Sequence, residues 1–98
     1  MILELAQLDV RLGQEADFEA AFSEARRIIS AMPGVISLEL QRCVERENRY
    51  VLLVRWQTLD DHLVGFRQSS DYLKWKALLH HFYDPFPTVE HYRPVLDV

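Results

Sequence analysis

Hydrophobic residues recur along this chain with two different periods, and the order of those periods is the strongest constraint on its fold. Apolar and polar residues alternate over residues 2–12, which predicts a strand with one mostly apolar face. From Glu15 the apolar spacing changes to three and four, which predicts an amphipathic helix that stops at Pro33-Gly34. Alternation returns in residues 35–44 and 50–56 on either side of a polar turn, which indicates an antiparallel hairpin.

The second half of the chain predicts a helix in two pieces and then a last strand. Thr58 and Asp61 have the spacing of a capping box, so we expect a short helix that reaches Phe66. Ser69 or Ser70 caps a second helical segment, in which apolar residues recur at helical spacing. Pro85 and Pro87 exclude further helix because they lack the backbone donor, and residues 88–95 are interpreted as a strand.

The predicted order is therefore β-α-β-β-α-β, the ferredoxin-like α+β arrangement of a four-stranded antiparallel sheet with helices on one face. A chain of 98 residues has the size of one domain, so we interpret 1–98 as a single domain. Residues 51–54 are apolar on both sides of their strand, and Leu3 and Leu5 lie opposite the main apolar face of the first strand. Because the helices cover one face only, this pattern predicts a homodimer in which two sheet faces pack together.

The charge pattern limits the partners of the protein. The 11 basic residues are scattered among 15 acidic ones, whereas a nucleic-acid footprint needs a basic stripe. The apolar runs are far shorter than the ~20 residues of a membrane span, and the first residues do not resemble a signal peptide. We therefore expect a cytoplasmic protein that binds neither nucleic acid nor membranes.

The sequence offers little to hold a cofactor or a metal. Gly13, Gly34 and Gly65 are far apart, so they form no glycine-rich phosphate cradle. His80 and His81 are adjacent, and neighbouring side chains on a helix point about 100° apart, so they rarely bind one ion together. We therefore predict neither a metal site nor a cofactor.

His62, one turn into the predicted short helix, is the first candidate catalytic residue. A histidine with a pKa near ~6.5 is suited to act as general base on a phenol or quinol. The alternative is a surface or helix-end histidine that is satisfied by water or backbone. His80 is the second candidate, either as a polar group at a pocket mouth or as a favourable charge near a helix C-terminus.

Aromatic residues are concentrated in the second half of the chain. Aromatic faces stack well against a planar substrate. The candidate substrate-binding residues are Trp56, Phe66, Tyr72, Trp75 and Tyr83. The alternative is ordinary core packing, because Tyr72 and Trp75 have helical spacing toward the sheet.

Several short features, taken in order, resemble the antibiotic biosynthesis monooxygenase family of the dimeric α/β-barrel superfamily. They are Leu12-Gly13 after the first strand, Pro33-Gly34-Val35 after a Phe-rich helix, Arg55-Trp56, Leu59-Asp60-Asp61-His62, and Phe66-Arg67-Gln68-Ser69-Ser70-Asp71-Tyr72. The resemblance covers essentially the whole chain. It implies two sheets packed face to face in a homodimer, with a small aromatic ligand held between the helices and the sheet of one subunit.

Members of this family oxygenate or rearrange aromatic polyketides, quinols or haem, commonly without a metal or flavin. Where the haem-degrading members have an Asn on the first strand, this chain has Ala6 or Gln7, and its only asparagine, Asn48, falls in the hairpin turn. The position of their haem-ligating His holds Lys76 or Ala77. The resemblance therefore implies a cofactor-independent monooxygenase that acts on an aromatic or quinone-like molecule. The alternative is a dimeric binding module that holds a small hydrophobic ligand without turnover.

Overall fold

The computed structural model describes residues 1–96, which form a four-stranded antiparallel sheet with helices on one face. The strands are β1 (Ile2–Asp9), β2 (Val35–Arg42), β3 (Arg49–Trp56) and β4 (Val89–Tyr92), in the sheet order β2-β3-β1-β4. The helices are α1 (Glu15–Ser30), a π-helix (Asp61–Phe66), α2 (Ser70–Leu79) and a 3₁₀ turn (His80–Phe82). This confirms the predicted ferredoxin-like α+β order, while residues 97 and 98 of the predicted domain lie outside the described residues.

The main hydrophobic core lies between α1 and the sheet. The predicted helical stripe is buried along α1 at Phe18, Phe22, Ala25 and Ile29. Phe18 packs against Tyr50 of β3, with the two ring centroids 4.9 Å apart. Burial of this stripe holds α1 on the sheet, because helix propensity alone stabilises a short helix only marginally.

Strand register places one acidic residue on the helix-facing side of the sheet. Ala6 of β1 pairs with Leu52 of β3, and both are buried under the helices. Glu4 lies on the same face, two residues along β1, and pairs with Val54 of β3 and with His91 of β4. Since side chains alternate along a strand, this register fixes a carboxyl group in the core-facing row.

The other face of the sheet has an apolar centre. Leu5 pairs with Leu53 there, with Leu3 and Val51 in the adjacent rows, and all four side chains are half-buried. The helices within residues 1–96 pack on the opposite side of the sheet. This apolar centre is therefore left open within one chain, as the pattern of residues 51–54 predicts.

β1 is shorter than its sequence pattern predicts. It ends at Asp9 rather than at residue 12, because the backbone then leaves the β1–β3 ladder. The Val10 N–H donates to the Asn48 carbonyl at 2.8 Å, and the Arg11 N–H donates to the Phe82 carbonyl at 2.9 Å. These bonds tie the end of β1 to the hairpin turn and to the segment after α2.

β2 and β4 also differ from the prediction, since β2 ends at Arg42 rather than at residue 44. β4 covers Val89–Tyr92 instead of residues 88–95. In β2, a bulge between Val35 and Ser37 shifts the pairing with β3. Ile36, which the alternation places on the inner face, is consequently exposed to 51%.

Candidate functional site

A cavity of about 350 Å³ lies between the sheet and the second half of the chain. β1 and β3 form its floor, and the π-helix, α2 and the segment before β4 form its walls. Its charged or titratable lining residues are Glu4, His62, Arg67, Tyr72, His80 and Tyr83. Its volume falls within the ~300–1,000 Å³ that is typical of small-molecule sites.

Most of the predicted site residues lie around this cavity. The ones that line it are His62, Phe66, Tyr72, Trp75, His80 and Tyr83. Trp56 does not line it, because its ring is fully buried behind His62. The Trp56 and His62 rings are stacked, with centroids 5.0 Å apart and an interplanar angle of 16°. Trp56 thus supports the wall of the cavity from behind.

The π-helix turns His62 toward the sheet. The predicted capping box forms at its start: the Thr58 N–H donates to the Asp61 carboxylate and the Asp61 N–H donates to the Thr58 hydroxyl, each at 3.1 Å. The predicted short helix has wider turns than an α-helix, since the Arg67 N–H donates to the His62 carbonyl five residues before it. With this geometry His62 and Phe66 are the buried residues of the segment.

Gly34 packs closely against the start of the π-helix. Its φ is +90°, a left-handed conformation that favours glycine, and a Cβ on it would collide with the Asp61 side chain. The Gln57 N–H donates to the Gly34 carbonyl at 2.8 Å, which ties the end of β3 to the same place. Gly34 therefore helps to set where the π-helix begins.

Three polar side chains run from the cavity floor to β4, and we refer to them as the Glu4–His62–His91 chain. The Trp56 Nε1–H donates to Glu4 Oε1 at 2.9 Å. His62 Nε2 lies 3.4 Å from the same Glu4 oxygen. On the other side of the ring, His62 Nδ1 lies 2.8 Å from His91 Nε2, where one nitrogen donates and the other accepts according to the tautomers.

Within the Glu4–His62–His91 chain, burial shifts the pKa of the carboxyl and the pKa values of the two imidazoles in opposite directions. It raises the pKa of Glu4, against the lowering effects of the Trp56 hydrogen bond and of Arg67. Burial, followed by the positive charges of Arg67 and His91, lowers the pKa of His62 to about 3. Burial and then Arg67 also lower the pKa of His91. Glu4 thus keeps its proton to higher pH than an exposed carboxyl, whereas His62 is neutral at neutral pH.

Aromatic rings meet edge to face along the cavity wall. The Phe66 ring lies 5.3 Å from that of Tyr72, at an interplanar angle of 88°, and 5.7 Å from that of Trp75, at 77°. The Ser69 hydroxyl accepts a hydrogen bond from the Tyr72 N–H at 3.2 Å, which confirms Ser69 as the cap of α2. The cap and the aromatic contacts together fix the orientation of this wall.

His80 lies at another part of the cavity wall, after the end of α2. Its ring centroid is 6.0 Å from that of Tyr72, 6.0 Å from that of Tyr83 and 5.0 Å from that of Phe86. Burial, and then the charge of Lys76, lower the pKa of His80. Burial, and then Tyr72, raise the pKa of Tyr83, so this phenol keeps its proton at neutral pH.

The sequence-based prediction missed Glu4 and His91. Glu4 shares the parity of Ala6 and Leu8, so an acidic residue within the apolar row of β1 was the available signal. His91 shares the parity of Val89, which lines the cavity. Its contact with His62 depends on the pairing of β4 with β1, which the local pattern does not specify.

A second and more open cavity, of about 700 Å³, lies between α1 and the β2 edge of the sheet. The Tyr50 hydroxyl donates to the Glu19 carboxylate at 2.6 Å on its wall, and Arg42 lies 3.4 Å from the same carboxylate oxygen. Among the described residues that line this cavity, none holds a buried side-chain nitrogen or oxygen without a hydrogen-bond partner.

Within the part of the chain that the structure describes, no three His, Cys, Asp or Glu side chains are arranged to hold a metal ion. None of the helices in residues 1–96 combines the length and the apolar character needed to cross a membrane.

Comparisons with known proteins agree with this architecture. The sequence profile described as antibiotic biosynthesis monooxygenase matches residues 1–78. The uncharacterized protein YczJ of Bacillus subtilis is 54% identical over 97% of this chain and the whole of its own length. A crystal structure of a candidate antibiotic biosynthesis monooxygenase from Bordetella bronchiseptica is 40% identical, with a TM-score of 0.91 over 97% of both chains.

The fold extends to a more distant protein. A variant of SnoaB, a cofactor-independent oxygenase from Streptomyces nogalater, shares 18% identity with a TM-score of 0.86, over 99% of this chain and 95% of that chain. The extent of the profile match, together with the identity to the Bordetella protein, settles the question of family. This chain belongs to the antibiotic biosynthesis monooxygenase family.

Proposed function

We propose that this protein is a cofactor-independent monooxygenase that oxidises a small phenol, quinol or similar aromatic compound with dioxygen. The observation that supports this most is the cavity under α2, which combines an aromatic wall with the buried pair of Glu4 and His62. Burying a carboxyl and an imidazole costs free energy. Their presence at the edge of an open cavity therefore favours a functional role over ordinary core packing.

The aromatic part of the cavity suits a planar ligand. Phe66, Tyr72 and Trp75 offer ring edges and faces, and Tyr83 adds a phenolic hydroxyl nearby. An aromatic pair of this kind contributes about 0.5–1.5 kcal/mol beyond the area that it buries. A one- or two-ring phenol matches these contacts better than a flexible aliphatic chain, which gains no ring stacking.

The polar part of the cavity provides a place to deprotonate the substrate. Removal of the phenolic proton gives an electron-rich anion that is able to reduce dioxygen directly. For a substrate with an activated CH₂ group, the balanced reaction converts CH₂ and O₂ into C=O and H₂O. We assign the proton transfer to the corner that holds His62, with His80 as the second candidate catalytic residue, and ligand binding to Phe66, Tyr72, Trp75 and Tyr83, with Trp56 behind them.

The proposal includes a homodimer built through the open sheet face. Leu3, Leu5, Val51 and Leu53 form an apolar centre there, and a second copy provides a matching surface across a two-fold axis. The cytoplasmic location and the single domain over 1–98 are parts of the same proposal.

Oxygen uptake tests the proposed function. Protein treated with a metal chelator and checked for the absence of flavin and haem should consume dioxygen with at least one member of a panel of quinols, anthrones and naphthols. Consumption that requires added metal or flavin would contradict the cofactor-independent mechanism. If panel members bind, as seen by quenching of tryptophan fluorescence, and no dioxygen is consumed, the alternative of a binding module without turnover replaces the proposal.

A further inference from the structure

Glu4 is a charged residue buried to 95% in a row of apolar side chains, since only 5% of it is exposed. A carboxyl group in such a place costs several kcal/mol unless it is protonated or well paired. Among the described residues, Trp56 and His62 both approach the same oxygen of Glu4, Oε1. Glu4 nevertheless lines the cavity, so the group is available to a ligand.

We propose that Glu4 is the general base of the cavity, and that His62 and His91 carry the proton it accepts from the substrate out to solvent at β4. This inference rests on the proposed function, which leaves open the group that takes the proton and the route by which the proton leaves. It makes Glu4 the catalytic residue, and it makes His62 and His91 the residues through which Glu4 is reset.

The geometry supports a single route from Glu4. His62 Nε2 lies 3.4 Å from Glu4 Oε1, and His62 Nδ1 lies 2.8 Å from His91 Nε2. The two nitrogens of one ring thus face the two neighbours in the chain. His91 is half-buried, whereas His62 is buried to 97%. The Glu4–His62–His91 chain therefore leads from the closed interior toward solvent.

The route requires one particular tautomer of each histidine at the start. His62 begins with its proton on Nδ1, donated to His91 Nε2, and with the lone pair of Nε2 toward Glu4. The substrate hydroxyl gives its proton to the Glu4 carboxylate and becomes an anion. Glu4 then donates to His62 Nε2, the Nδ1 proton moves to His91 Nε2, and His91 releases the proton on its Nδ1 to water. One proton leaves the substrate, one reaches solvent, and no electron changes hands. Both histidines end in the opposite tautomer and return to the starting one before the next turnover.

The charged groups around Glu4 suit this role. His62 and Arg67 approach it from the π-helix and the residue that follows, His91 faces it from β4, and Trp56 donates to it from β3. Burial raises the pKa of Glu4, which moves the carboxyl toward the range where a base works well at neutral pH. Burial keeps His62 uncharged, so that it passes a proton on instead of holding it.

Glu4→Gln is the first test, because the amide keeps the shape of the side chain and an oxygen that accepts the Trp56 hydrogen bond. Its kcat/KM in oxygen uptake should fall by about 10²–10⁴-fold. The wild-type rate should rise with pH through a pKa above the ordinary carboxyl value of 4.5, and Glu4→Gln should lack that rise.

Two measurements distinguish the loss of proton transfer in Glu4→Gln from damage to the cavity. Glu4→Gln should bind the unreactive methyl ether of the substrate as the wild type does, and Glu24→Gln, at an exposed position of α1, should keep wild-type turnover. Turnover by Glu4→Gln with the wild-type pH profile would overturn the assignment.

His91 provides a test of the exit route. His91→Ala should slow turnover, and added imidazole should restore it, because a small base from solvent replaces the missing ring. A merely structural role of His91 predicts no such rescue. Turnover by His91→Ala at the wild-type rate, or a slow variant that imidazole does not restore, would overturn the route.

Nuclear magnetic resonance separates this inference from the proposed function. In protein labelled at glutamate and histidine, the Glu4 carboxyl and the His91 ring should titrate together, and His62→Gln should uncouple them. A wild type inactive on every compound would overturn the proposed function and the catalytic use of Glu4. Coupled titration would support the proton route even then, and independent titration of Glu4 and His91 would overturn it.

Discussion

His62 lies between the stacked Trp56 ring and His91, with one nitrogen toward Glu4. Its removal breaks the side-chain link between Glu4 and His91. We expect His62→Ala to lower turnover by at least about tenfold, because general acid–base catalysis typically contributes about 10²–10⁴-fold. His81→Ala is the matched control, because His81 is exposed and lies outside the cavity lining. If steady-state oxygen uptake by His62→Ala equals that of the wild type, His62 is structural and His80 becomes the first candidate.

The stability of the protein should depend on pH through His62. The unfolded chain binds a proton at this residue with a pKa near 6.5, whereas the folded protein does so only near 3. Between these values the unfolded state holds more protons, so the free energy of unfolding falls as the pH falls. His62→Gln removes this contribution. It should reduce the slope of the free energy of unfolding against pH by up to about 1.4 kcal/mol per pH unit. Urea unfolding of both proteins from pH 7 to pH 4 measures the slopes, and parallel slopes would contradict the burial of a neutral His62.

At the scale of single residues, the sequence predicted the aromatic wall of the cavity better than the Glu4–His62–His91 chain. Phe66, Tyr72 and Trp75 follow from helical spacing, because that spacing directs them to the sheet. The sequence did not predict Glu4 as a site residue, since a charged residue is normally assigned to the solvent face. His91 was hidden because its neighbour His62 is 29 residues away along the chain.

Among the elements, the π-helix depends on Gly34. An alanine there has to adopt a φ near +90° and pushes its Cβ into the Asp61 side chain, which forms the capping box with Thr58. Gly13→Ala is the control, because Gly13 has a φ of +87° and nothing within 4 Å of an added Cβ.

Gly13→Ala should lose roughly 1–2 kcal/mol of unfolding free energy, the cost of a left-handed non-glycine residue. Gly34→Ala should lose on the order of 1 kcal/mol more, because the cap of the π-helix is also disturbed. Chemical denaturation measures both differences. Equal losses in the two variants would show that the contact with Asp61 does not matter.

The elements with a strong hydrophobic period were predictable, whereas the local exceptions were not. The stripe of α1 and the alternation of β3 appear directly in the sequence, because burial selects apolar residues at those spacings. The π-helix leaves no comparable pattern. Gly34 packs closely on Asp61 where this helix begins, and that contact joins distant parts of the chain.

For the whole molecule, the sheet face opposite the helices predicts association. A dimer through Leu5 and Leu53 should bury more than ~1,000 Å² and give twice the chain mass in light scattering at micromolar concentration. Leu53→Glu places two charges near a two-fold axis and should give a monomer. Leu73→Glu on the exposed side of α2 is the control and should stay dimeric. A monomeric wild type would contradict the proposed assembly.

We propose above all that an aromatic substrate is oxygenated by dioxygen in the cavity under α2. The most direct measurement is the mass of the product formed under isotopically heavy dioxygen, with chelator-treated wild-type protein and a substrate from the active panel. We predict that the product gains one heavy oxygen atom and that its formation depends on Glu4 and His62. A product whose new oxygen comes from water, or dioxygen uptake that yields only peroxide and unlabelled product, would contradict the claim.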